Sequence, residues 1–112
     1  EMAEYGAWNS KEATLSDVTA KKEYGVDRDF IVKSIPAGKL EYREGSIWGN
    51  PYLRLLRRQL EKYIAEQLGQ DYLSSAKKRT ELRKIKREIT SLKKKLKELG
   101  ARKTELENQV KR

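Results

Sequence analysis

The sequence predicts a mainly α chain with a small β-hairpin wing: a compact helix-turn-helix head followed by a long coiled-coil helix. Three observations point there. Capped helical segments separated by glycine turns precede a stretch that alternates apolar with charged side chains. From Leu82 onward, apolar residues recur at steps of three and four. Charge is also divided: residues 1–70 carry 11 Lys/Arg and 11 Asp/Glu, whereas residues 71–112 carry 15 and 6, which is the whole net charge of +9. A neutral head thus adjoins a basic tail, where an anionic partner would first feel long-range attraction.

With 112 residues and 37% hydrophobic content, the chain has room for one small domain plus an extended element. It contains no cysteine and no histidine, which excludes disulfides, thiolate and imidazole catalysis, and the usual zinc sites. No Gly-rich phosphate loop or catalytic constellation stands out, and the pair Asp27/Asp29 reads as helix-start acid. No enzyme activity, cofactor or metal is expected. No run approaches the roughly 18 apolar residues a membrane span needs. The acidic start Glu1-Met2-Ala3-Glu4 lacks the positive n-region of a secretion signal. The expectation is an intracellular chain, cytoplasmic or in the nucleoid or nucleus, with no membrane partner.

Residues 2–13 mix Gly6, Trp8, Asn9 and charges without a period and read as an arm. At Thr14-Leu15-Ser16-Asp17, Ser16 or Thr14 can cap a helix and Asp17 suits its positive end, so a helix is predicted over Asp17–Tyr24, stopped by Gly25. Val26 separates this from a second cap, Asp27, and a second helix over 28–35 that places Phe30, Ile31 and Ile35 on one side. Pro36 and Gly38 end it. Two capped helices at a glycine corner are what a helix-turn-helix requires. Residues 39–43 and 52–55 alternate like half-buried strands around a turn-rich 44–51, giving a two-stranded wing. A third helix is predicted over Arg57–Leu68, with Leu60, Ile64 and Leu68 on one face beside Tyr63, ending at Gly69. It closes a core with Leu15, Val18, Phe30, Ile31, Ile35 and Leu40. The domain reading is an arm over 1–13, a winged helix-turn-helix head over 14–69 and a basic helix over 70–112.

The order helix, turn, helix, wing, helix, with Thr14-Leu15-Ser16-Asp17-Val18, Gly25-Val26, Gly38-Lys39-Leu40 and Leu60-Glu61-Lys62-Tyr63-Ile64, resembles the excisionase and MerR-type winged helix domains over about half the chain. The same region, through Ala20-Lys21-Lys22-Glu23-Tyr24, Asp29-Phe30-Ile31-Val32-Lys33, Asn50-Pro51-Tyr52 and Leu53-Arg54-Leu55, is similar to the DNA-binding domain of the xeroderma pigmentosum group A repair family, without that family's cysteine-rich zinc subdomain. These resemblances imply duplex DNA binding, with the second helix in the major groove and the wing on the backbone or minor groove. By position they put Arg28, Asp29 and Lys33 at base edges or nearby phosphates, and Arg43, Ser46, Trp48 and Arg54 in the wing contacts.

Arg57 and Arg58 open the third helix, where two cations oppose the dipole; a phosphate bound there would compensate them. The plainer alternatives are a simple exposed Arg57-Arg58 pair, solvated Lys33 and Lys39, and Trp48 and Tyr52 packing the wing onto the core. The zero net charge of the head also lacks the basic footprint of a phosphate binder.

In the tail, Leu82, Ile89, Leu96, Lys103 and Val110 occupy heptad position a, and Ile85, Leu92, Leu99 and Leu106 position d. Burying a leucine is worth about 1.5–3 kcal/mol, so a lone helix with this stripe in water is disfavoured and a second copy is expected. Parallel pairing matches Glu81 with Lys86, Glu88 with Lys93 and Arg102 with Glu107, but stacks Lys103 on its own copy. Antiparallel pairing matches Glu88 with Lys95 and Glu81 with Arg102, so both orientations work. Gly100 is either a weak point in a continuous helix or a turn between two helices. Residues 77–97 hold 11 Lys/Arg and two acids, and the basic positions that include Lys93 and Lys94 suit either solubility or a phosphate backbone. The expectation is a homodimeric duplex DNA-binding protein, a regulator or a DNA-architecture or processing accessory factor. The alternative is a coiled-coil adaptor whose wing binds another protein.

Overall fold

The computed structural model describes residues 7–111, so residues 1–6 of the expected arm and Arg112 lie outside it. The chain is mainly helical, with a small three-stranded antiparallel sheet and a long C-terminal helix. After a single 3-10 turn over Ala7–Asn9 come β1 (Thr14–Ser16), α1 (Asp17–Tyr24), α2 (Arg28–Ser34), β2 (Tyr42–Ile47), β3 (Asn50–Leu56), α3 (Arg57–Leu68) and α4 (Gln70–Val110).

Local chemistry accounts for most of these bounds. Ser16 is the cap of α1, its hydroxyl accepting from the Thr19 amide at 3.1 Å. Asp27 caps α2 by accepting from the Phe30 amide at 2.9 Å. Each such cap is worth about 1 kcal/mol. Gly25 ends α1 at φ 73°, and its N–H donates to the Lys21 carbonyl at 2.9 Å. The second helix stops at Ser34, one residue short of the expected end.

The sheet has the order β1-β3-β2. The strand β1 was expected to be the approach to a helix; instead Leu15 pairs with Leu55 and Ser16 with Arg54. The hairpin is also longer than the sequence suggested. Pairing runs from Tyr42 opposite Leu55 out to Ile47 opposite Asn50, leaving only Trp48 and Gly49 to turn. Both have positive φ, 53° and 81°, as a two-residue hairpin turn needs to follow the right-handed strand twist. The expected loop over 44–51 shrinks because ladder hydrogen bonds outweigh the turn-forming bias of Gly45 and Ser46.

The core of the head is built from Leu15, Ala20, Tyr24, Ile31, Leu40, Leu53, Leu55, Leu60 and Ile64, with the Phe30 and Tyr63 rings 5.0 Å apart at its edge. Val18, expected inside, is 71% exposed, and Ile35 is only partly buried. The face of α1 that turns inward carries Asp17, Ala20 and Tyr24, and Val18 lies about 100° away from Asp17. An acid holds the inward position because β1 ends at Ser16, and the Leu53 amide beyond it finds its acceptor in Asp17, at 2.9 Å. Thus an unpaired strand donor, not apolar periodicity, sets the rotation of α1.

The chain forms two compact units divided after Arg79, later than the expected boundary at residue 70. The first turns of α4 belong to the head: Leu73 and Ala76 are buried in its core, and the Tyr72 hydroxyl donates to the Tyr24 carbonyl at 2.6 Å. From Thr80 onward α4 is a unit of its own and runs through Gly100 without a turn.

Candidate nucleic-acid interface

Asp27 and the buried side chains Ile31 and Ser34 fix how α2 lies, so Arg28, Asp29, Val32 and Lys33 are exposed on its outer side. Arg28 is 4.0 Å from Asp17, at the limit of an ion pair, and its side chain stays half-exposed. Between the start of α2 and the hairpin lies an open groove lined by Arg28, Glu44, Ser46, Pro51, Tyr52 and Leu53. The strand register explains this lining: Glu44, Ser46, Leu53 and Pro51 share the sheet face that carries Leu55. At the hairpin tip Trp48 is 97% exposed, with exposed Ile47 next to it. The packing of Trp48 onto the core that composition favoured is therefore absent. The hairpin turn requires the positive φ at this position, but a large indole held in water there is a local cost that no packing contact offsets.

On the opposite sheet face, Arg43 and Arg54 are direct cross-strand partners, an arrangement that by itself repels. Trp8 resolves it. The Arg43 guanidinium lies 4.4 Å from the Trp8 ring centroid, and Arg54 donates to the Trp8 carbonyl at 2.6 Å and to the Thr14 hydroxyl at 3.2 Å. Trp8 is 3% exposed. Arg54 is thereby a structural residue that ties the N-terminal segment to β3, and Arg43 keeps an exposed side chain partly committed to Trp8. The arm reading missed this. The available signal was one of the chain's two tryptophans standing in an otherwise largely polar segment, a large ring that a small core would recruit.

Arg57 is a second correction. Its guanidinium donates to Glu23 at 2.8 Å, to the Tyr24 hydroxyl at 2.7 Å and to the Glu12 carbonyl at 3.0 Å, while its own amide donates to Ala13 at 2.8 Å. The expected phosphate clamp at this helix start is thus filled from within the head, and only Arg58 stays on the surface. The network continues inward. Tyr24 donates to Glu61 at 2.5 Å, and Glu61 pairs with Lys77 at 3.4 Å. Burial first, and then the bond to Glu61, push the Tyr24 phenol above its ordinary value. Burial works to lower the Arg57 pKa, but the bonds to Glu23 and Tyr24 overcome it and raise it.

In the unit from Thr80, all the apolar heptad residues from Leu82 to Val110 are exposed, between 42% and 81%. Lys93 and Lys94 are exposed as well, Lys93 beside the stripe and Lys94 away from it. Among the described residues no helix is long and apolar enough to cross a membrane, and no group of three or more His, Cys, Asp or Glu is placed to hold a metal ion. Comparison of the chain with protein-family models, with curated proteins and with solved structures finds no significant match to any of them.

Proposed function

We propose that the chain is a homodimeric duplex DNA-binding protein, with the head acting as a winged helix-turn-helix and the heptad stripe of the tail joining two copies. The observation that carries this reading is the groove between α2 and the hairpin, with Arg28 on its wall, exposed Lys33 further along α2 and the strained, exposed Trp48 at the hairpin tip. In this reading α2 offers Arg28, Asp29 and Lys33 to the major groove, and the hairpin offers Ser46 and Trp48 to the flanking backbone. Arg54 and Arg57 support the head from inside. The basic tail, Lys93 and Lys94 included, supplies the sequence-independent attraction that a neutral head lacks.

The test is a fluorescence-anisotropy titration with duplex DNA at low and at moderate salt. Affinity should fall steeply with salt, Arg28→Ala with Lys33→Ala should relax sequence preference, and Trp48→Ala should weaken binding to all sequences alike. Absence of binding at low salt would refute it. A second reading rests on the apolar hairpin tip, where Ile47 and Trp48 together form a small surface that a protein partner could cover. That adaptor reading predicts no response to DNA in the same titration.

A further inference from the structure

Apolar and basic side chains occupy opposite sides of α4. On the helical wheel Arg83, Arg87, Lys94 and Lys97 fall within an arc of about 80°, and the stripe from Leu82 to Val110 is centred roughly half a turn away. At the outward heptad positions between Arg83 and Lys97 there are five cations, Lys84 being the fifth, and no acid. Glu88 within this stretch and Glu81 just before it flank the seam instead, where they meet Lys93 and Lys86 of a parallel partner. All these residues are exposed along a continuous helix. The ridge is about 21 Å long, and an equal length of duplex carries about a dozen negative charges.

Pairing two tails through the stripe places a partner on the side of each helix opposite its ridge. The two ridges then point away from each other across the width of two helices, about 20 Å. This outcome is the same for parallel and antiparallel pairs, because it depends only on the ridge lying opposite the seam. A stiff duplex lying on one ridge does not reach the other.

We propose that the paired tail is a two-sided phosphate-binding bar that bridges two separate DNA duplexes. This rests on the dimer and DNA-binding reading above and adds to it a bridging activity independent of sequence. A head-only reader needs neither the opposed placement of the two faces nor an acid-free outward ridge from Arg83 to Lys97.

The test immobilises a biotinylated duplex, loads the full chain, and offers a fluorescent second duplex of unrelated sequence in low salt. Sedimentation equilibrium and anisotropy on a single duplex are measured on the same samples. The expected result is capture of the second duplex by the wild-type chain. The variant R87E/K94E/K97E should stay dimeric and hold the first duplex more weakly, through its heads, while capture of the second falls at least about tenfold further. The variant R87K/K94R/K97R, which preserves charge, should capture normally. Capture that persists in R87E/K94E/K97E assigns bridging to the heads and overturns the proposal, as does a fall in first- and second-duplex binding by the same factor. A dimer that binds one duplex and never captures a second overturns the bar while leaving the DNA-binding reading intact. A monomer, or a chain blind to DNA, removes both.

Discussion

Tyr24 is the residue on which the head converges. Its hydroxyl donates to Glu61 and accepts from Arg57, and its backbone carbonyl accepts from Tyr72, so α1, α3 and α4 meet at one residue. Because the folded phenol ionises above the ordinary value of 10.0, its protonated form stabilises the fold fully below that pH. Above it, the unfolded chain loses a proton that the native state still holds, and stability falls as pH rises through the folded value. Urea titrations at successive pH values above 10 should show this loss in the wild type and a shallower one in Tyr24→Phe. At neutral pH the same variant leaves Glu61 and Arg57 short of a partner and should cost about 1–3 kcal/mol. The adjoining Gly25 is constrained twice, by its φ of 73° and by the Tyr72 hydroxyl, which a Cβ would meet at 2.8 Å. Gly25→Ala should therefore destabilise by about 1–2 kcal/mol from backbone strain alone, with a further loss as Tyr72 gives way; thermal unfolding measures it.

At the scale of elements, what was legible in the sequence was whatever rests on neighbours in the chain. The bounds of α1, the caps Ser16 and Asp27, and the stop at Gly25 follow from residues within four positions of the backbone groups they satisfy. The three-residue strand β1 was not legible, since its only reason to be extended is the edge of β3, some forty positions later. The bond between Trp8 and Arg54, a residue the sequence placed among the wing contacts, escaped notice for the same reason: a contact 46 residues apart leaves no periodic trace. Likewise Arg57 looked like an unpaired cation until the fold brought Glu12, Glu23 and Tyr24 around it. Within α4, Gly100 is helical and a Cβ there meets nothing within 4 Å. Gly100→Ala should thus raise helix stability by about 1 kcal/mol, read as a later thermal transition in circular dichroism at 222 nm, the helical band.

For the whole molecule, the proposed self-association rests on the exposed heptad stripe. Replacing Leu92, a central d residue, by Asp removes one apolar layer contributed by two chains, at about 3–6 kcal/mol for the pair. Sedimentation equilibrium should find the wild type dimeric and Leu92→Asp monomeric, with the far-ultraviolet signal of the head retained. The sequence by itself determined the helices, the hairpin, the division of charge and the heptad phase, because each depends on side chains close along the chain. Tertiary structure alone decided which arginines are held inside the head and which stand on the surface. It also decided that Asp17 rather than Val18 turns inward, and that Trp8 is buried while Trp48 is bare. Those outcomes depend on which backbone donors and like charges the folded sheet brings together, and no local pattern encodes that pairing.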